Sequence, residues 1–444
     1  MKYRKTIHLN HTLTNRTLTW SFSLLAFLVF SFNVHAASET ASNLFERHQP
    51  GVFQIRTIDL ASGDKSTIGS GFAVKLRRAA NRDSYIATNF HVVSLQVHSP
   101  ETYRLEVASH TGERIGAELV AIDVIHDLAL LKIDSEPERI FRLRNTNPDQ
   151  GERIFSMGNP QDLGMTIIEG NYNGLVQNSR YQNILFSGSL NAGMSGGPAI
   201  DDLGRVLGIN VAKGSEQISF LVPASRLSNL LEQASAANKA DLPKPDFQDH
   251  IRNDLYNDQA SFYSELIEQD WPLKAIGGLL LPHEISDSLK CWGHTVKDKN
   301  IRYESAHQHC QSNDTIFIAD NFQSGQFEID FEWLETTELN TFQFYTALEK
   351  RFTQKRQGNA SDDDDVSNYE CSTNIVTLDN SRWKVSSCFR AYKAYADLFD
   401  ALLLLSSLDR PLEAGVVKVS ATGISRNSAR TLFGKLMESI KWKP

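Results

Sequence analysis

The chain has 444 residues, 41% of them hydrophobic, which is too long for one compact core and apolar enough to build two or three. Several domains are therefore expected. The formal charge of −8 argues against nucleic-acid or anionic-membrane partners.

The first 36 residues hold Lys2, Arg4, Lys5 and Arg16 without an acid, then run apolar from Leu18 to Phe32. That run is short for a bilayer span, and Val34 and Ala36 put small residues where a signal peptidase reads. A signal peptide over residues 1–36, cleaved after Ala36, is expected, with an uncleaved anchor as the alternative. Without those four cations the formal charge falls from −8 to −12. An exported chain of this kind keeps no stable membrane span once the signal is removed, and is periplasmic or secreted.

From Gly51 to about Leu221 short apolar or alternating runs are broken by Gly, Asn and Asp, the pattern of an all-β sandwich or barrel. Leu227, Leu230 and Leu231 then fall at helical spacing after Pro223. A domain over residues 37–233 follows, and residues 234–249, with Pro243 and Pro245 among small and charged residues, read as a linker. Residues 250–444 mix strand and helix signals and read as an α+β domain. Phe327, Ile329, Phe331 and Trp333 alternate with Glu328, Asp330 and Glu332, which predicts a half-buried strand. Leu432, Phe433, Leu436, Met437 and Ile440 predict a helix that starts near Asn427.

All four cysteines, Cys291, Cys310, Cys371 and Cys388, lie in this C-terminal part. In an exported chain disulfides are the default, and sequential pairing is the simplest of three connectivities. A rival reading gathers Cys291, His294, His307, His309 and Cys310 around a metal. Their spacing matches no standard zinc pattern, and oxidised cysteines do not ligate zinc, so neither metal nor cofactor is expected. Asp362 to Asp365 lack the alternating spacing of a calcium loop.

Serine attack on an amide needs a base for the hydroxyl proton, a carboxylate to hold that base's tautomer, and amide donors for the developing oxyanion. Three segments supply these parts. In Ser84 to Val93 a strand ends and delivers His91 to the start of the next element. Asp127 stands immediately before the apolar strand Leu128 to Ile133. In Asn191 to Pro198 glycines flank Ser195 and permit a tight loop whose N–H groups converge. Each segment alone has a plain structural explanation, as a packed histidine, a turn aspartate or a glycine turn. Their order, spacing and local structure agree together on acyl transfer.

On these residues, region 51–231 resembles a trypsin-like serine protease, and within that group it is most similar to the bacterial HtrA/Deg type. The matching stretches are Gly69-Ser-Gly-Phe72, Thr88-Asn-Phe-His91-Val-Val93, Asp127-Leu-Ala-Leu130, Met157-Gly-Asn-Pro160, Asn191 to Pro198, and Gly204 to Asn210. The resemblance implies a chymotrypsin-like double β-barrel followed here by the α+β domain. It implies His91 as general base, Asp127 as its orienting carboxylate and Ser195 as nucleophile, with the amides of Gly193 and Ser195 as oxyanion donors. Protein or peptide substrates follow, and oligomers are known for the group, though no motif here demonstrates one. Gly193-Met-Ser195-Gly-Gly197 also satisfies the G-x-S-x-G elbow of α/β hydrolases, but that fold needs the serine first, and here His91 and Asp127 precede it.

Three departures limit the analogy. Met194 stands where animal trypsins use an aspartate to capture a new N-terminus, and no convincing PDZ carboxylate-binding loop follows, Gly277-Gly-Leu-Leu280 being a poor match. The segment from Gly174 to Asn191, where the HtrA type places an activation-sensing loop, is short. By analogy Ser189, Asn191, Asn210 and Val211 wall the primary pocket. No acid lies nearby, which disfavours Lys or Arg and suits a small or medium apolar side chain. The C-terminal domain shows no family resemblance in its residues, so a dormant protease-fold scaffold that binds partners through it is the alternative function.

Overall fold

The structure is a computed structural model that describes residues 40–76, 84–215, 217–237, 246–297, 302–354 and 361–444. The expected signal peptide lies outside the described residues, as does most of the expected linker. Residues 39–444 form one compact unit.

Helix α1 (Ala41–His48) leads into β1 (Val52–Asp59), β2 (Lys65–Val74) and β3 (Ser84–Thr88), then helix α2 (Phe90–His98), β4 (Tyr103–Ala108), β5 (Arg114–Asp123) and β6 (Leu128–Ile133). These strands close an antiparallel barrel in the order β1-β2-β3-β6-β5-β4. A short β7 (Arg142–Leu143) precedes β8 (Arg153–Gly158), β9 (Thr166–Leu175), β10 (Ile184–Phe186), β11 (Pro198–Ile200), β12 (Arg205–Ser215) and β13 (Ile218–Pro223). The order β11-β8-β9-β10-β13-β12 closes on itself through a β11–β12 pairing, with β7 added at the side. The result is the double barrel that the alternating runs predict, because period-2 patterning buries one face of every strand. Helix α3 (Ala224–Ala237) packs Leu227 and Leu230 into the core shared by the two barrels.

Helix α4 (Phe247–Glu268) joins the barrels to the rest. Its Asp246 cap accepts from the Gln248 and Asp249 amides, so the helix begins within the stretch expected to be linker. Ile251 and Leu255 sink into the core of the first barrel, while Phe262, Tyr263 and Leu266 enter the C-terminal core. The C-terminal region adds β14 (Leu273–Ile276), β15 (Leu279–Pro282), β16 (Leu289–Lys297), β17 (Glu304–Ser312), the hairpin β18 (Ile316–Ala319) and β19 (Phe322–Ser324), β20 (Phe327–Glu335), α5 (Thr341–Gln354), β21 (Glu370–Leu378), β22 (Ser381–Ala391), β23 (Phe399–Ser407), β24 (Glu413–Ile424), α6 (Arg426–Ser439) and β25 (Lys441–Trp442). Seven of these strands form one antiparallel sheet, β16-β17-β20-β24-β23-β22-β21. Helices α4 and α6 cover one face, and α5 covers part of the other. Disulfides Cys291–Cys310 and Cys371–Cys388 bridge directly opposed residues of the two outer strand pairs, which is the sequential connectivity.

The expectation of a half-buried β20 is corrected. Its acidic face is covered as well, with Asp330 and Glu332 only 8% and 2% exposed. Buried carboxylates persist when partners hold them, and here Asp330 meets His309 at 2.9 Å and Glu332 meets Arg351 of α5 at 3.3 Å. His307 and His309 are thus neighbours of Asp330, and both cysteines of the rival metal cluster are consumed in a disulfide.

The loop between β9 and β10 docks on the C-terminal region. The Arg180 guanidinium lies 3.2 Å from Asp258 of α4 and stacks 4.2 Å from the Phe262 ring centroid, and the Arg180 amide donates to Asp314.

Candidate active site

Asn89 follows β3 and caps α2, but its side chain makes no capping bond to the helix. The orphan amides of that first turn need another acceptor. Asp127 supplies it: its Oδ1 accepts from the His91 amide at 2.8 Å, while its Oδ2 lies 2.7 Å from His91 Nδ1. One carboxylate therefore fixes both the backbone and the ring of His91. Asp127 is itself held in the left-handed region, at φ 54°, where the Asn89 amide group donates to its carbonyl at 2.7 Å. Thr57 and Thr67 both donate to the Val92 carbonyl, which pins the start of α2 to the barrel.

With an ionised carboxylate against Nδ1, that nitrogen carries the proton and Nε2 is left as an acceptor. Desolvation of the ring lowers the His91 pKa, but the charge of Asp127, the hydrogen bond to it and the charge of Asp320 outweigh this, so the pKa is raised above the usual histidine value. The ring keeps 28% of its side-chain surface open.

The loop carrying Ser195 is moulded against the first barrel. Gly193 and Gly196 have φ of 91° and 84°; a Cβ on Gly196 would lie 2.2 Å from the Ser70 carbonyl and 2.9 Å from the Asn89 amide, so no side chain fits. This contact sets the serine loop directly on the segment that carries His91. Ser70 of β2 holds the loop at two points: its amide donates to the Ser195 carbonyl at 2.7 Å, and its Oγ donates to the Gly193 carbonyl at 2.7 Å. The same Oγ accepts from the Asn159 amide at 2.9 Å. The Ala192 carbonyl accepts from the Gln161 amide, so the Gly193 N–H of that peptide points the opposite way. Among the described residues the N–H groups of Gly193 and Ser195 donate to no acceptor. Two such amides are what a developing oxyanion requires.

The Ser195 hydroxyl donates to the Val211 carbonyl at 3.3 Å. Among the described residues it makes no hydrogen bond to His91. Of the expected pocket residues, Ser189 is half-buried, Asn191 is exposed and Val211 contacts the serine through its carbonyl. Asn210 is fully buried, accepts from Ser156 and donates to the Met157 and Met194 carbonyls, and its own backbone bonds the Gly196 and Gly197 backbone. A side chain so committed braces the loop.

A family model described as a trypsin-like peptidase domain matches residues 69–209, the span that holds His91, Asp127 and Ser195. The chain carries a trypsin-like peptidase domain. This domain is 32% identical over 181 residues to the mitochondrial serine protease HTRA2 of Bos taurus, covering 38% of this chain and 37% of the relative. It is 33% identical over 178 residues to a probable periplasmic serine endoprotease, DegP-like, of Brucella suis, covering 37% and 32%. The crystal structure of the serine endoprotease from Yersinia pestis superposes with a TM-score of 0.38 at 28% identity, over 45% of this chain and 68% of that one. The chain thus spans about a third of the length of the curated relatives it matches. Among the described residues no helix is long and apolar enough to cross a membrane.

Four residues near His91 and Ser195 carry no signal of a role in the sequence alone. Asn89 and Ser70 lie inside the matching stretches but bear no chemistry of their own there. Phe317 and Asp320 belong to the β18–β19 hairpin of the C-terminal region, more than 200 residues beyond His91, where no local pattern could signal their proximity.

Proposed function

We propose that this chain is an exported serine endopeptidase that works through Ser195, His91 and Asp127. The observation that carries the reading is the Asp127 carboxylate, which grips His91 at both its amide and its Nδ1. Ser195 Oγ attacks the substrate carbonyl while its proton passes to His91 Nε2, and the oxyanion settles on the amides of Gly193 and Ser195. The imidazolium then protonates the departing amine, leaving an acyl-enzyme. Water attacks that ester, gives its proton to His91 and releases the acid with Ser195 restored.

The same reading takes residues 37–233 as the peptidase domain and 250–444 as an attached α+β domain, with residues 1–36 removed after Ala36 on export to the periplasm or beyond. Protein or peptide substrates with a small or medium apolar residue at the scissile position suit a pocket whose flanking segments, 189–192 and 210–213, hold no acid. A dormant scaffold is the second reading, favoured by the Ser195 hydroxyl resting on Val211 rather than on His91. Labelling with a fluorophosphonate separates the two. The wild-type chain is expected to label and to hydrolyse an unfolded protein substrate, and Ser195→Ala is expected to do neither. A wild-type chain that stays unlabelled while folded sinks the endopeptidase reading.

A further inference from the structure

The hairpin β18–β19 sits beside α2, on the first barrel, although its sequence belongs to the C-terminal region. Its alternation decides what each side chain meets. Ile316, Ile318 and Phe322 are buried in the same core as Phe90, Val93 and Val97 of α2. Phe317 turns instead to the first turn of that helix. Its ring centroid lies 5.8 Å from the His91 imidazole at 68°, and 6.3 Å from Phe90 at 67°, both edge-on. At the other end of α2, His98 Nε2 lies 2.8 Å from the Ile318 carbonyl. The hairpin is thereby tied to both ends of the helix that presents His91.

We propose that the β18–β19 hairpin is an integral part of the peptidase centre, with Phe317 a positioning residue that holds the His91 ring in its working orientation. This rests on the reading of His91 as the general base. The two bonds from Asp127 fix the position of Nδ1 but leave the imidazole free to tilt about that contact. A ring edge packed on its flank closes that freedom, and small misplacements of a base are costly to proton transfer. The exposed Asp320, at the hairpin turn, adds a second carboxylate whose charge acts on the ring. The charged groups that reach His91 are thus Asp127 from the β5–β6 turn and Asp320 from the hairpin. The barrel beneath offers the uncharged hydroxyls of Thr57 and Thr67, and α4 offers Gln248, which bonds the far end of α2. The C-terminal region therefore tunes the base directly.

The test uses the full chain and follows kcat/KM against pH. Phe317→Ala is expected to lose roughly tenfold in kcat with little change in KM, and Phe317→Tyr, which keeps the ring, to recover most of it. Asp320→Asn removes a charge that favours the imidazolium, so the acidic limb is expected to move to lower pH, and Asp320→Glu to restore it. If Phe317→Ala and Asp320→Asn both leave the rate and the limb where they are in wild type, the hairpin is only packing and the proposal falls. Should Phe317→Ala fail to fold, Phe317→Leu takes its place, with a loss in kcat expected and an unchanged kcat overturning the proposal. Should the wild type neither label nor turn over, the endopeptidase reading has failed, and the hairpin is judged separately. His91 is then titrated by histidine NMR in Ser195→Ala protein, its signal assigned by its loss in His91→Gln. Asp320→Asn is expected to lower that titration, and an unmoved curve overturns the hairpin's role.

Discussion

His91 must be neutral to accept a proton, and its pKa is raised above the ordinary value of about 6.5 by the balance of groups around it. The rate should accordingly fall as pH drops through a point above that value, which a profile of kcat/KM from pH 5 to 9 would check. Ser70 makes a second demand at this scale. Ser70→Ala strips the Gly193 carbonyl of its donor and leaves the buried Asn159 amide without an acceptor. The expected cost is about 1–3 kcal/mol of stability in a denaturant titration, together with a rate loss from a loosened oxyanion loop. His91, Asp127 and Ser195 stand out as candidates because each sits in a short stretch whose neighbours state its local structure. Ser70 does not: its partners Gly193 and Asn159 are 123 and 89 positions away, and a serine between two glycines reads as a turn until they are known.

At the level of helices and strands, the alternating runs foretold the barrels, and the spacing of Leu432, Phe433 and Leu436 foretold α6, whose cap at Ser425 lies close to the expected start. Misjudgement came where burial depended on what packs above a strand, since Glu332 looks solvent-facing until α5 covers it. The end of α1 offers a sharper test. His48 is buried against Phe141 with neither ring nitrogen hydrogen-bonded among the described residues, and burial, followed by the charges of Arg139 and Arg47, lowers its pKa to about 4. An unfolded chain would protonate this residue from about pH 6.5 downward while the folded one resists. Its contribution is complete above that pH and drains away toward pH 4, roughly 2–3 kcal/mol in all. His48→Leu should narrow the gap between melting temperatures at pH 7.5 and pH 4.5, as calorimetry would read.

Over the whole molecule, the barrels and the C-terminal sheet share α4 and meet again at Arg180. Arg180→Ala would leave Asp258 and Asp314 facing each other's charge beneath the docked loop. A loss of about 3 kcal/mol is expected, visible as a lower midpoint in chemical unfolding; an unchanged midpoint would mean the contact is incidental. The grip of Ser70 on the serine loop carries a further consequence for how such a fold wears out. A single residue of one barrel shapes a loop that belongs to the other, so the two halves cannot shear past one another and leave the Gly193 and Ser195 amides aligned. Heat should extinguish turnover in step with the collapse of tertiary order, with no interval in which an intact molecule has merely gone silent.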